Sequence, residues 1–380
     1  MKVLVINQHT RNHGDEAALL GLTRLLRKLG VREIAVSLNS TDIPPGSEIP
    51  KMADHMISSR LSKPIHKFLA LGACFSPAFA WLLEKFSERT AELLRHIKQA
   101  EIIIVGPGGE NIGAYRDWLY LSNIQLSLLH GKKIVFAGNS FGPSRSRLFD
   151  RVALRILRRC VVVAREDISF TYLRNAGIEA QLSADCALLL FNENIASSEK
   201  KSSGYAIFVP NQLYKWHPNY RDRQVELDQL IHSTFEQLLE KHHKVKILPQ
   251  TFPYPSSIED FRYLIDRFGD HRVEVISDAS PEQQIELIRN AACLVGMRYH
   301  SVVFAAIAST PTVSFGYERK MQGFNKRFFE GRSYRDLSTY GATTDEIRLP
   351  EAATPLQDQV RQAAEDIENC LRKNLKGNAQ

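Results

Sequence analysis

Arg298 and His300 stand two residues apart in the run Gly296-Met-Arg-Tyr-His-Ser, after the apolar stretch 293–295 and before apolar and small residues that read as a helix. The unpaired amides of a helix N-terminus attract anions. A guanidinium adds a planar fork matched to carboxylate or phosphate, and an imidazole exchanges a proton near neutral pH. Together they make an anion site with its own proton donor; the plainer alternative is a helix cap with a core histidine. Lys320 closes the run Phe315-Gly-Tyr-Glu-Arg-Lys with another cation. Arg165 follows the apolar run 160–164 directly. A guanidinium placed there needs a partner, either an internal ion pair with Glu166 or Asp185 or an anionic ligand.

Three further loops offer polar groups. In Asn12-His-Gly-Asp-Glu, Gly14 permits a tight turn, and Asp15 is placed either to cap the next helix or to meet a substrate. In Gly106-Pro-Gly-Gly-Glu-Asn, Gly108 and Gly109 let a ligand approach the backbone beside Glu110, but the Lys-Ser/Thr of a P-loop is missing. Gly138-Asn-Ser-Phe-Gly-Pro presents Asn139 and Ser140, in a binding loop or a surface turn. No Gly-x-Gly-x-x-Gly occurs, so the sequence lacks a dinucleotide fingerprint.

These residues need elements to position them, and the chain supplies a repeating alternation. Short runs at 2–6, 33–38, 101–105, 133–137 and 160–164 are apolar on both faces, with helical spacing between them. That pattern indicates buried parallel strands. The alternation resumes at 205–209, 245–248, 273–276, 293–295 and 312–315, after the polar stretch 192–203, which reads as a linker. Ligands of open parallel sheets bind at the carboxyl ends of the strands, and the loops singled out above all fall there. The expected fold is α/β, with two Rossmann-like domains at 1–195 and 204–345 facing a cleft. Residues 346–380 hold a helix, after Pro355, that packs back on the body. A polar linker between two such units predicts a modest interface and relative motion.

Composition sets the chemical company. Net charge is +7 with a pI near 9.1, which suits anionic partners. Nucleic acid is not expected, because no binding module or aromatic interleaving accompanies the charge. Five cysteines, widely spaced and odd in number, read as small buried hydrophobes of a reducing compartment rather than metal ligands. The N-terminal apolar run is too short for a signal peptide, so a cytoplasmic location is expected. Residues 61–86 are apolar with basic flanks Arg60, Lys63 and Lys67 and rings Trp81 and Phe86. They read as a pair of core helices, or as a segment lying on the membrane surface. Arg147, Arg151, Arg155 and Arg158 form a stripe at helical spacing, with Arg159 beside them, a solvated face or a surface for anionic lipid or a lipid-linked diphosphate. The oligomeric state is not legible.

Taken in order, the motifs resemble the polysaccharide pyruvyl transferase family. They are Asn12-His-Gly-Asp-Glu, Gly106-Pro-Gly-Gly, Asn139-Ser-Phe-Gly-Pro, Val163-Ala-Arg-Glu-Asp-Ile-Ser, Ser183-Ala-Asp-Cys-Ala, Gly296-Met-Arg-Tyr-His-Ser, Thr310-Pro-Thr-Val-Ser-Phe and Tyr317-Glu-Arg-Lys. The resemblance spans about residues 1–330. It implies a GT-B-like fold, with the acceptor on the N-terminal side and the donor on the C-terminal side. It also implies transfer of a pyruvyl group from phosphoenolpyruvate to two hydroxyls of a free or lipid-linked glycan, with no cofactor and no metal. Carried over, Arg165 and Arg298 bind the donor's phosphate and carboxylate, and His300 stands at the reacting centre. Lys320, Asn139, Ser140, Gly14, Asp15, Gly108, Gly109 and Glu110 complete the expected site. Competing expectations are a GT-B glycosyltransferase using a nucleotide sugar, and a non-enzymatic component of a polysaccharide assembly complex.

Overall fold

A computed structural model of the chain describes residues 1–40, 43–61, 63–192, 204–269, 271–339 and 349–376. Nearly all of the stretch 192–203, read above as a linker, lies outside them. Two parallel sheets dominate. The first has strand order β3 (His55–Ser58), β2 (Glu33–Leu38), β1 (Lys2–Gln8), β4 (Ile102–Val105), β5 (Lys133–Phe136). A parallel bridge from Val135 to Val161 carries it on to β6 (Val162–Ala164) and β7 (Ala180–Leu182). The second has the order β10 (Val273–Val275), β9 (Lys244–Ile247), β8 (Tyr205–Val209), β11 (Leu294–Gly296), β12 (Thr312–Gly316), β13 (Tyr334–Asp336).

Both orders reverse at the first strand of the sheet, at β1/β4 and at β8/β11. A right-handed crossover helix can cover only one face at a time, so a chain that winds both ways from its first strand leaves a crevice where it turns. The β-branched runs explain the burial: Val3, Leu4, Val5 and Ile6 of β1 are all buried. β3, β7 and β13 were not expected from the sequence. They are short edge strands with mixed composition, such as His-Met-Ile-Ser in β3, and carry no apolar run to announce them.

The helix Tyr299–Ile307 is buried on all sides, with every residue except His300 in the core. Its apolar side chains join one cluster with those of the helix His13–Lys28 and the 3₁₀ turn Cys186–Leu190. This cluster spans both sheets, so the interface between the halves is apolar and continuous, where a modest interface was expected. The last helix, Gln357–Lys376, runs back along the N-terminal half. Lys28 pairs with Glu368 at 2.7 Å, Lys133 Nζ donates to the Asn374 carbonyl at 2.6 Å, and Cys370 meets Gln181.

Residues 61–86 fold as the helix pair Pro64–Ala73 and Pro77–Phe86. The pair is not a core element throughout. Only Leu69, Ala70 and Ala73 of the first helix, and Ala80 and Leu83 of the second, are buried. Burial pushes the Cys74 and Cys160 thiols up to about 12, as expected of inert cysteines.

Phe304, fully buried in the shared helix, tests this shared core. Phe304→Ala should destabilise the protein by about 3–5 kcal/mol. Trp81 and Trp118 report the N-terminal half and Trp216 the C-terminal half, and urea unfolding followed by their fluorescence should show one transition at lower denaturant. Two separated transitions would show that the halves hold independent cores.

Candidate functional site

The carboxyl ends of β1, β4, β8 and β11 converge on a cavity of about 350 Å³ between the sheets. The loops after β1 and β9 close its floor. His13 N donates to the Gln250 carbonyl at 3.0 Å and Phe252 N to the Arg11 carbonyl at 3.2 Å, while the His13 ring stacks on Phe252 at 4.4 Å. His9, Asp15, Gly109 and Tyr115 line one wall, and Trp216, Arg298, His300, Tyr317 and Lys320 the other.

The first helix starts two residues before Asp15. Asn12 is its N-cap and accepts from Gly14 N at 2.8 Å, so the expectation that Asp15 caps this helix is corrected. Asparagine at this position bonds an amide of the first turn through its own short side chain. Asp15 is thereby left in the first turn, at the cavity. Gly14 serves close packing. A Cβ there would lie 1.9 Å from the His300 ring, so the imidazole rests directly on this glycine across the cleft.

Arg298 is the N-cap of the buried helix, and no side chain caps that helix's first turn. Its guanidinium lies 5.2 Å from the Trp216 ring, and Nη2 is 2.7 Å from Glu259 Oε1. The other Glu259 oxygen accepts from the amides of Gln250 and Thr251. Arg298 Nε is buried and has no acceptor among the described residues. A buried donor without an acceptor is costly unless a ligand supplies one.

Arg165 lines the cavity with its side chain almost wholly buried. Nη1 donates to Asp185 Oδ2 at 2.6 Å, Nε donates to Ser140 Oγ at 2.8 Å, and Glu166 stands 3.3 Å away. The internal ion pair and the place at the cavity, set above as alternatives, therefore coexist. His300 Nε2 is 3.6 Å from the same Asp185 oxygen. Burial alone would raise the Asp185 carboxyl, but Arg165 and His300 more than offset it and hold the group well below the usual carboxylate range.

Tyr299 links the cations. The Arg165 guanidinium lies 4.7 Å and Lys320 Nζ 5.6 Å from its ring. Burial alone would lower the Lys320 ammonium, but Glu318 at 2.5 Å raises it above the usual lysine range. Burial raises the Glu110 carboxyl, with Lys320 acting the other way.

Asn139 and Ser140 are both buried and outside the cavity lining; Ser140 Oγ is held between Arg165 and Glu166, while Asn139 Oδ1 has no hydrogen-bond partner among the described residues. Asn139 Nδ2 donates to the Gly106 carbonyl at 2.8 Å and contacts the Tyr120 hydroxyl at 3.2 Å, tying the ends of β4 and β5 together. Gly109 faces Lys320 Nζ at 3.9 Å from its would-be Cβ, and Gly108 faces His9. Sequence reasoning missed His9, Tyr115, Trp216 and Glu259. His9 follows the end of β1 directly, and the carboxyl-end rule could have found it. Trp216 and Glu259 lie in long loops with no local signature.

A family model described as polysaccharide pyruvyl transferase matches residues 12–319. No curated protein matches the sequence. Among solved structures, Anabaena Alr3699/HepE in complex with UDP-glucose is similar at 12% identity and TM-score 0.58, covering 99% of this chain and 99% of that one. The S. aureus MnaA-UDP co-structure is similar at 10% identity and TM-score 0.58, covering 100% and 98%. A glycosyltransferase from Rickettsia africae ESF-5 is similar at 11% identity and TM-score 0.54, covering 99% and 93%. Identities this low speak to the fold alone, which is GT-B.

The contact of Gly14 with the His300 ring generates a test. Gly14→Ala should cost about 1–3 kcal/mol, because neither the helix backbone nor the ring base can yield. Gly14→Ala/His300→Ala should recover most of that loss, a coupling that a double-mutant cycle by thermal unfolding reads. Additive losses would show that the two residues do not meet.

Proposed function

The chain belongs to the polysaccharide pyruvyl transferase family, and we propose that its cleft moves the pyruvyl group of phosphoenolpyruvate onto two hydroxyls of a sugar, forming a cyclic ketal. The observation that carries this reading is the convergence of Arg298, Lys320 and Arg165 with His300 on one small cavity. Phosphoenolpyruvate concentrates a carboxylate and a phosphate on a three-carbon frame, and charge-assisted contacts with a preorganised cationic wall suit it.

The residues divide the work. Arg298, whose Nε lacks an acceptor among the described residues, takes one anionic group of the donor from the uncapped helix start. Lys320 takes the other. Arg165 is held by Asp185 and Ser140, so it adds positive potential to the wall and keeps Asp185 ionised. His300 Nε2 stands 3.6 Å from Asp185 Oδ2, which holds the ring in place at the cavity. His300 gives its proton to the methylene carbon, leaving an oxocarbenium-like centre at the carbon that bears the phosphate. A sugar hydroxyl adds there and loses its proton to a base, for which Asp15 stands on the N-terminal wall. The C–O bond to phosphate then breaks, the second hydroxyl adds and loses its proton, and inorganic phosphate leaves. One donor and one diol become one ketal and one phosphate.

Incubation with phosphoenolpyruvate and candidate glycans should release phosphate and yield a product heavier by the pyruvyl group. Calorimetry should show binding of phosphoenolpyruvate; binding of UDP-glucose in its place would redirect the reading to a nucleotide-sugar glycosyltransferase. Arg298→Lys keeps the charge beside Glu259 but loses the fork. It should weaken donor affinity by about one to two decades, equivalent to roughly 1.5–3 kcal/mol. Unchanged affinity would place the donor elsewhere. His300→Asn should keep donor affinity within about tenfold and lower turnover by about 10²–10⁴. Near-normal turnover in folded His300→Asn protein would remove the histidine from the chemistry.

A further inference from the structure

The helix pair Pro64–Ala73 and Pro77–Phe86 turns its large side chains outward: Phe68 is 58% exposed, Trp81 58% and Phe86 60%. Next to it the helix Arg147–Leu157 exposes Leu148 together with Arg147 and Arg151. The two surfaces are one face. Arg155 Nη2 donates to the Cys74 carbonyl at 2.5 Å, and Phe75 with Arg155 and Arg159 lines a shallow depression between them. Exposed apolar patches rimmed by charge mark interaction sites.

We propose that this face docks the protein on an anionic lipid bilayer, with Phe68, Trp81 and Phe86 seated at the headgroup boundary and the surrounding lysines and arginines against lipid phosphates. Charge argues for this occupant. Lys63, Lys67 and Lys85 stand on the helix pair and Arg147, Arg151 and Arg158 on or beside its neighbour. Among the described residues these cations have no carboxylate partner, whereas Glu84, an acid of the pair, is held by Lys98. Cations also interleave with the rings, Lys85 lying 5.2 Å from Trp81. The core of a protein–protein interface is depleted of charge, and a second copy would set like charges face to face. An anionic bilayer accepts both the rings and the cations. No helix of the described residues is long and apolar enough to cross a membrane, so the contact lies on the surface.

One loop joins the face to the cavity wall. Trp118, which meets Phe75 at 5.9 Å and Phe149 at 4.9 Å, opens the helix after the loop that carries Tyr115 to the cavity wall. Docking would thus set the cleft mouth beside the bilayer, within reach of a sugar carried on a lipid. That consequence rests on the pyruvyl-transfer reading; the docking does not.

The test is flotation of the full chain with vesicles of phosphatidylcholine alone and of phosphatidylcholine mixed with phosphatidylglycerol. The chain should float with the anionic vesicles only, blue-shift its tryptophan emission as it binds, and be released by salt. Arg147→Glu/Arg151→Glu and Phe68→Ser/Phe86→Ser should each weaken binding by about tenfold or more. Both variants should keep the wild-type melting temperature and phosphoenolpyruvate affinity. Wild-type flotation of both variants, or equal binding to both vesicle types, would overturn the proposal. So would failure to bind vesicles together with a dimer in light scattering that Phe68→Ser/Phe86→Ser dissolves, which would give the face to a second copy.

Discussion

A guanidinium and a carboxylate buried 2.6 Å apart, Arg165 and Asp185, set the terms for the rest of the cleft. Neither charge survives alone in so dry a place, and removing one partner leaves the other unpaired. The pair therefore dictates its surroundings. Ser140 and Glu166 satisfy the guanidinium's remaining edge, the Tyr299 ring covers its face, and the Ala187 amide holds the second Asp185 oxygen. His300 arrives from the other sheet and completes the set. The pair belongs to the N-terminal half, while the histidine that reads its field belongs to the C-terminal half.

That division explains why the helix Tyr299–Ile307 is apolar all round. A helix that brings its first turn to the cavity, and is buried between two sheets, has no solvent face to decorate. Its packing against the helix His13–Lys28 fixes the approach of His300 to Gly14. Position at the site is thus inherited from hydrophobic packing rather than from loop hydrogen bonds.

The sequence showed the central strands, because Val, Ile and Leu runs buried on both faces leave little room for misreading. Edge strands such as β13, with Tyr-Arg-Asp, depend on their neighbours for identity, and no local pattern reveals them. At the site, Arg298, His300, Lys320 and Asp15 were legible because each follows a strand end in the chain. Asn139 and Ser140 follow one too, yet they point into the protein. Sequence position names the loop but not which side of it faces the ligand. Glu259 was illegible for another reason. It meets Arg298 only once a long loop has folded, and a contact of that range leaves no trace in spacing.

The helix Gln357–Lys376 lies along the half of the molecule made first. On a ribosome the N-terminal sheet emerges with the strip around Lys28, Lys133 and Gln181 uncovered, and the residues that cover it follow 189 to 340 positions later. Domains tend to fold in the order of synthesis, but here the first one waits for a helix that follows every strand of the second sheet. Translation that stops between the second sheet and this helix would release a chain whose second sheet is complete and whose first still shows bare apolar surface, the kind of product that chaperones and proteases recognise.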